Sequence, residues 1–147
     1  MATKMKIGIG SDHGGFELKE QVKAYLTSLN YEVEDLGTSS KDSCDYPVFA
    51  HLVASGVANG TFTKGVLICT TGIGMSITAN RYEGVRAALV TNEDMCKMTR
   101  MHNDANVLVM GAKYTTFEQA KRYIDIFFNT EFEGGRHERR VNLIERK

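Results

Sequence analysis

The sequence is poor in the features that mark several classes of protein. Its three cysteines, Cys44, Cys69 and Cys96, are widely spaced and form no Cys-x-x-Cys pair, which argues against a disulfide framework and a zinc knuckle. Basic and acidic side chains balance at 18 each, so the chain lacks the overall field that attracts nucleic acid or an anionic membrane. No apolar run approaches the roughly 20 residues that span a bilayer. We therefore expect no nucleic-acid partner and no membrane partner.

The composition is that of an ordinary folded domain in a reducing compartment. Apolar residues make up 42% of the 147 residues and charged residues 24%, which is typical of a globular protein with one core. Free cysteines are typical of the cytosol, and the segment Met1–Ile7 lacks the apolar core of a signal peptide. The sequence thus predicts a single cytoplasmic domain over residues 1–147.

Short β-type segments alternate with segments of helical periodicity. Strands are predicted over residues 7–9, 31–36, 66–69, 85–90 and 107–110. Helices are predicted over residues 16–29, 47–58 and 73–80, from about 92, and from a capping box at Thr115-x-x-Glu118. This alternation with short connections predicts a Rossmann-like α/β fold, a three-layer α/β/α domain with a five-stranded, mostly or wholly parallel sheet.

Two patterns distinguish the predicted strands. Residues 31–36 alternate between apolar and polar side chains, which is typical of an edge strand with one solvated face. Residues 66–69, 85–90 and 107–110 are apolar runs, which are typical of strands buried on both faces of a parallel sheet. We therefore expect these three strands to be buried.

The last segment differs from the rest of the chain. Residues 133–140 begin with glycines and continue with a burst of positive charge, and Val141, Leu143 and Ile144 then give a weakly amphipathic end. The segment is too short for a domain and too apolar at its end to remain free in solvent. We expect an arm from about residue 133 to 147 that packs on a partner subunit.

Ligands of open parallel sheets bind at the carboxyl ends of the strands, where loops meet helix N-termini. Polar and reactive residues follow several predicted strands and helices: Asp12 and His13, then Cys69, Thr71, Gly72 and Gly74, then His102 and Asn103, and in the tail Arg136, His137, Arg139 and Arg140. We expect these residues around one rim of the sheet.

Cys69 carries the strongest single signal. A thiol at the end of a buried strand, just before a helix N-terminus, lies in a field that stabilises a thiolate. The amides of Gly72 and Gly74 are predicted to face the same point and to stabilise a developing oxyanion. The alternative is a cysteine that acts only as a small buried apolar side chain, which is the plain interpretation of Cys44 and Cys96.

Each further candidate also has a structural explanation. Asp12 would be at home as a helix N-cap, and His13 as a surface residue. His102 and Asn103 are residue types that commonly end a helix, and His51 is expected to pack against apolar neighbours. These alternatives stay open at this point.

Phosphate binding is suggested by the tail. Arg136 and Arg140 lie four residues apart and would share a helix face, which suits a phosphate, although solvated charge explains many such runs. The usual phosphate loops are absent from the sequence: it has neither a P-loop lysine nor a dinucleotide fingerprint. Met75 stands six residues after Cys69, where cysteine phosphatases carry an arginine.

Six segments, taken together, form a specific signature in their order along the chain: residues 10–16, 45–47, 65–76, 79–80, 102–107 and 133–141. In these segments the chain resembles the type B ribose-5-phosphate isomerase family, which is related to galactose-6-phosphate isomerase subunits. The resemblance covers nearly the whole chain. It implies a Rossmann-like homodimer, or a tetramer, whose active site is shared across the interface.

The resemblance implies metal-free and cofactor-free interconversion of D-ribose 5-phosphate and D-ribulose 5-phosphate, in the pentose phosphate pathway. Cys69 would carry the proton between C2 and C1 through a cis-enediolate. The groups that stabilise the enediolate would be the Asn103 side chain and the amides of Gly72, Ile73 and Gly74. The groups that open the furanose ring would be Asp12, His102 and Thr71.

The remaining implied roles concern binding. Tyr46 would line the sugar, and His13, Arg136 and Arg140 would hold the phosphate, with His102, Asn103 and the arginine tail reaching into the partner's site. Thr70 and Lys113 depart from the family, whose members often carry glycine and arginine there. The alternatives are a hexose 6-phosphate isomerase of the allose or galactose type, a non-catalytic sugar-phosphate sensor and a thiol redox protein.

Overall fold

Five parallel strands form one sheet in the computed structural model, which describes residues 5–145. The strands are β1 (Lys6–Ser11), β2 (Glu32–Asp35), β3 (Lys64–Cys69), β4 (Ala87–Leu89) and β5 (Val107–Gly111), in the order β2-β1-β3-β5-β4. The helices in this part of the chain are α1 (Phe16–Ser28), α2 (Tyr46–Ala58), α3 (Ile73–Ala79), α4 (Glu93–Asn103), α5 (Phe117–Asn129) and α6 (Arg136–Asn142). The predicted α/β fold and its parallel sheet are confirmed.

The core has two parts, one on each face of the sheet. Alternation along β3 sends Val66 and Ile68 towards α1, α4 and α5, and sends Leu67 and Cys69 towards α2 and α3. Both parts are built from side chains with almost no exposure. The candidate thiol therefore faces the α2–α3 layer.

Two local predictions are corrected. β4 is an edge strand of three half-buried residues rather than a buried strand over 85–90, because β5 covers one side of it and no strand of the described chain pairs with the other. The capping box before α5 begins one residue later than predicted: Thr116 accepts from the Gln119 amide, and the Gln119 side chain accepts from the Thr116 amide. Thr115 is buried instead.

The predicted arm contains α6. This helix packs on α4 of its own chain, and Leu143 and Ile144 after it are largely exposed. Residues 1–4 and 146–147, which the predictions for the N-terminus and the arm include, lie outside the described residues. Within residues 5–145, no helix is long and apolar enough to cross a membrane.

Candidate active site

The chain reverses direction across the sheet between β1 and β3. β2 lies on one side of β1, while β5 and β4 lie beyond β3 on the other side, so the loops after β1 and β3 diverge. Crevices at such switch points are where α/β proteins bind ligands. Ser11 pairs with Ile68, and the Asp12 amide donates to the Ile68 carbonyl at 3.3 Å, which brings Asp12 next to Cys69.

Cys69 is held by the turn that follows it. Its side chain is buried, and the Gly72 amide donates a hydrogen bond to the sulfur at 3.1 Å. An amide donor at a helix N-terminus stabilises a thiolate. Gly72 has a φ of +81°, and a Cβ on it would lie 2.6 Å from Leu89 Cδ1, so the turn requires glycine here.

The backbone amides predicted to stabilise the oxyanion are only partly available to a ligand. The Gly72 amide is directed at the Cys69 sulfur, and the Ile73 amide donates to Thr71 Oγ1 at 3.2 Å. Gly74 lies in the first turn of α3, where an amide has no intrahelical acceptor. Of the three amides predicted to meet the enediolate oxygen, the Gly74 amide is therefore the best placed. The Thr71 oxygen accepts a local bond, which leaves its O–H as a donor for a ligand.

Tyr46 packs over the start of α3. It is the first residue of α2, and a Cβ on Gly74 would lie 2.4 Å from its ring. Pro47 follows at the first turn of α2, as expected. The tyrosine ring, about two-fifths exposed, thus forms a wall of the crevice next to the Cys69 turn.

Asp12 and His13 lie on the loop that follows β1. The buried Asp12 carboxylate accepts from the Gly15 amide at 3.1 Å and caps a short 3₁₀ turn, so the N-cap alternative describes a real contact. His13 Nδ1 accepts from the Cys44 amide at 3.2 Å, which leaves Nε2 as the nitrogen for a ligand. Thr70 Oγ1 would lie 2.1 Å from a Cβ on Gly14, so Thr70 fills space between the two loops.

His102 and Asn103 lie in a second cluster, together with the tail. His102 stacks on His137 with ring centroids 4.2 Å apart. These side chains line a pocket of about 360 Å³ with Arg140, Val141 and Ile144. Arg136 and Arg140 are exposed on the same short helix.

The two clusters lie at opposite ends of the sheet, which corrects the expectation of one rim within one chain. Asn103 ends α4 just before β5, whose first residue pairs with Gly65 near the start of β3, whereas Cys69 is the last residue of β3. The four residue steps from Gly65 to Cys69 separate these levels by about 13 Å. One chain therefore holds two separate half-sites.

Glu133 of the second cluster is missing from the candidate residues above, and His137 is predicted at the rim without a role. Glu133 Oε2 lies 3.6 Å from His102 Nε2, and Glu133 Oε1 lies 3.9 Å from His137 Nε2. The pKa of His137 is lowered by burial and by the positive charges of His102, Arg136 and Arg140, against the opposing charge of Glu133. Glu133 precedes α6 and is separated from it by two glycines, so no helical spacing in the sequence points to it.

Three other residues complete the comparison with the sequence. Burial raises the pKa of Cys96 to about 12, which agrees with a structural thiol. His51 is exposed and bonds the Tyr82 hydroxyl at 2.6 Å, so the expected apolar packing is wrong. Lys113 is exposed, and its ammonium lies over the ring of Tyr114, 5.8 Å from the centroid.

Comparison with known proteins identifies the family of the chain. The family described as Ribose/Galactose Isomerase matches residues 7–144. The chain belongs to this isomerase family. Ribose-5-phosphate isomerase B of Escherichia coli (strain K12) is 43% identical over 139 residues, which cover 95% of this chain and 93% of that protein. The resemblance to type B enzymes is thus confirmed.

Solved structures of family members share the whole fold. Ribose-5-phosphate isomerase B of Clostridium thermocellum superposes with a TM-score of 0.94 at 47% identity and covers 95% of both chains. The enzyme of Mycoplasma genitalium, solved with bound ribulose 5-phosphate, gives a TM-score of 0.93 at 39% identity and covers 97% of this chain and 95% of its own. The Rossmann-like architecture is therefore that of the isomerase family.

Proposed function

We propose that this member of the family interconverts D-ribose 5-phosphate and D-ribulose 5-phosphate. The observation that carries the proposal is the Cys69 thiol at the switch point, bonded by the Gly72 amide and adjacent to Asp12. The ribulose 5-phosphate bound to the Mycoplasma genitalium relative supports the pentose substrate.

The reaction needs a base of moderate strength and a partner for negative charge. A proton on C2 next to the aldehyde is weakly acidic, so its removal requires stabilisation of the enediolate. The Cys69 thiolate takes the C2 proton, and the thiol returns it to C1, while O1 gains the proton that the C2 hydroxyl loses. The Gly74 amide and Asn103 stabilise the enediolate, and Asp12, His102 and Thr71 open the ring.

The phosphate is held at the open side of the crevice. His13 presents Nε2 from one wall, and Arg136 and Arg140 offer two guanidinium groups on one exposed helix face. Guanidinium–phosphate pairs are charge-assisted and suit a planar, bidentate contact. Tyr46 covers the sugar between this clamp and Cys69.

A second copy of the chain completes the site. Because the half-sites of one chain are about 13 Å apart along the sheet, His102, Asn103 and the two arginines reach Cys69 only from another subunit. The exposed Leu143 and Ile144 on the arm support packing against that subunit. We propose a homodimer, with tetramers as a further assembly, that works in the pentose phosphate pathway of the cytoplasm.

A panel of aldoses tests the proposal. Purified protein in EDTA is given ribose 5-phosphate, allose 6-phosphate, galactose 6-phosphate and the free sugars, and ketose formation is followed. We expect ribose 5-phosphate to be converted fastest and free sugars slowest. Conversion of hexose 6-phosphates alone would place the chain in a hexose branch, and binding without ketose formation would indicate a sensor.

A further inference from the structure

Three metal-ligating side chains meet where α6 packs on α4. His102, Glu133 and His137 each offer one ligand atom, and these atoms lie within 4.8 Å of one another. The Glu133 amide donates to the Met101 carbonyl at 3.0 Å, which fixes the carboxylate beside the last turn of α4. Two imidazoles and one carboxylate are a common ligand set for zinc and related divalent ions.

The distances suit a shared ion better than direct hydrogen bonds. The Glu133 oxygens lie 3.6 Å and 3.9 Å from the Nε2 atoms of His102 and His137, beyond the range of an N–H···O bond. Ligands bound tetrahedrally at zinc stand about 3.3 Å apart, so these two separations need to shrink by about 0.3 Å and 0.6 Å. The imidazole lone pairs lie in the ring planes, and the rings stack within 12° of parallel, so one ring must turn by tens of degrees for both to aim at one ion.

Access also favours the site. The His102 and Glu133 side chains are 37% and 46% exposed, which leaves an open side for entry and for a water ligand. The positive charges of Arg136 and Arg140 oppose a cation, so we expect an affinity on the order of micromolar rather than nanomolar.

We propose that His102, Glu133 and His137 bind a divalent transition ion of the zinc class, with water in the fourth position, and that the bound ion inhibits the enzyme. The inhibitory part rests on the proposed function, in which His102 opens the sugar ring. A metal ion on Nε2 of His102 occupies the lone pair that accepts the proton of the sugar's C1 hydroxyl when the ring opens. The ion takes no part in the isomerisation itself.

Cobalt(II) is the probe for the site, because its visible absorption reports geometry and ligand type. Titration of the apo protein is expected to saturate at one ion per chain with a tetrahedral spectrum and no thiolate-to-cobalt band. Glu133→Gln and His137→Gln are each expected to weaken binding about tenfold or more. His51→Gln is the matched control, and it should bind cobalt like the wild type.

The outcomes separate the site from the activity. Unchanged cobalt binding in Glu133→Gln and His137→Gln, a thiolate band, or no saturation at millimolar cobalt would overturn the site. Glu133 is exposed, so Glu133→Gln tests the site even if His137→Gln fails to fold.

Zinc is expected to inhibit isomerisation at the concentration at which it binds, and Glu133→Gln is expected to need a roughly tenfold higher zinc concentration for the same inhibition. Binding without inhibition would overturn the inhibitory part. A chain inactive even in EDTA contradicts the proposed function and leaves the cobalt result intact.

Discussion

At the residue scale, the hydrogen bond between the Gly72 amide and the Cys69 sulfur links the fold to the proposed chemistry. It exists because β3 ends at Cys69 and α3 begins four residues later, through a glycine in the left-handed region. The same bond redirects one of the amides that the sequence suggests for the enediolate. Stabilisation of the base and stabilisation of the oxyanion are therefore divided between Gly72 and Gly74.

Replacing the sulfur tests the base directly. Cys69→Ser keeps the size of the side chain, but a hydroxyl is far too weakly acidic to ionise at neutral pH. We expect isomerisation to fall by at least about a thousandfold, together with exchange of the transferred hydrogen with solvent deuterium, while ribose 5-phosphate still binds. Turnover and binding calorimetry measure the two effects. Near wild-type kcat would transfer the role of base to a carboxylate such as Asp12.

Alkylation gives an independent measure of Cys69. Iodoacetamide is expected to inactivate the enzyme by alkylating Cys69, and saturating substrate is expected to protect it. Cys96→Ala serves as the control, because a buried thiol with a pKa of about 12 contributes no thiolate at neutral pH. Inactivation that persists in Cys69→Ala would assign the reactive thiol elsewhere.

Lys19 and Asp35 form a buried pair whose contribution depends on pH. The Lys19 side chain is fully buried, and its ammonium contacts both Asp35 oxygens at 2.7 Å. Burial opposes ionisation of Asp35, but hydrogen bonds from Lys19, the Gly37 amide and Lys23 outweigh it and lower its pKa. Because the pKa of Asp35 is lower in the folded state than in the unfolded state, its ionic contacts stabilise the folded protein. This stabilisation is complete above the unfolded pKa of about 3.9 and is lost as pH falls through the folded pKa.

Asp35→Asn is expected to lower the free energy of unfolding at pH 7 by about 2–3 kcal/mol, since it leaves a buried ammonium with Glu20 as its remaining acidic partner. The difference from the wild type should shrink as pH falls below about 4. Urea denaturation at several pH values measures both. Glu34→Gln, which affects an exposed pair with Lys6, is the control and should cost less than about 1 kcal/mol. A difference that stays constant with pH would contradict the ionic explanation.

At the element scale, the start of α5 gives a stability prediction. Thr116→Ala removes the side-chain acceptor for the Gln119 amide, so we expect a loss of about 1 kcal/mol in the free energy of unfolding. Thr27→Ala makes the same substitution inside α1, where alanine is the better helix former, and should cost nothing. Equal effects from both, measured in urea, would show that the capping box contributes no stability.

The capping box also shows why element boundaries are harder to predict than elements. Thr115-x-x-Glu118 and Thr116-x-x-Gln119 both fit the sequence pattern, and the choice depends on burial of Thr115, a tertiary contact. The apolar run at 85–90 likewise predicts a strand, but only the strand order shows that this strand lies at the edge of the sheet. Periodicity identified all five strands because it reports local burial, whereas strand order depends on contacts between distant segments.

At the scale of the whole molecule, the topology explains how much of the site was predictable. Residue types and the rule that ligands bind at strand ends were enough to select Cys69, Asp12 and His13. The same rule led to the expectation that His102 and the arginines share that rim, but His102 lies at the end of a helix that leads into a parallel strand, and such a helix ends at the opposite end of the sheet. The structure corrects the placement by putting Asn103 ahead of β5. The cluster of Glu133 with two histidines required three-dimensional contacts.

Mixed dimers test the proposed sharing of the site between subunits. Cys69→Ala and the double variant Arg136→Ala/Arg140→Ala each damage every site in their own homodimers. A heterodimer carries one intact site, formed by Cys69 of one chain and the arginines of the other, and one doubly damaged site. With random pairing, co-expression under two affinity tags is expected to restore about a quarter of wild-type activity, since half of the dimers are mixed and each has one intact site.

Co-expression of Cys69→Ala with Asp12→Asn is the matched control: both residues belong to the same half-site, so the mixed dimers contain no intact site. Inactivity of verified Cys69/arginine heterodimers would refute the shared site, and it would require Cys69 and the arginines to meet within one chain despite their separation along β3.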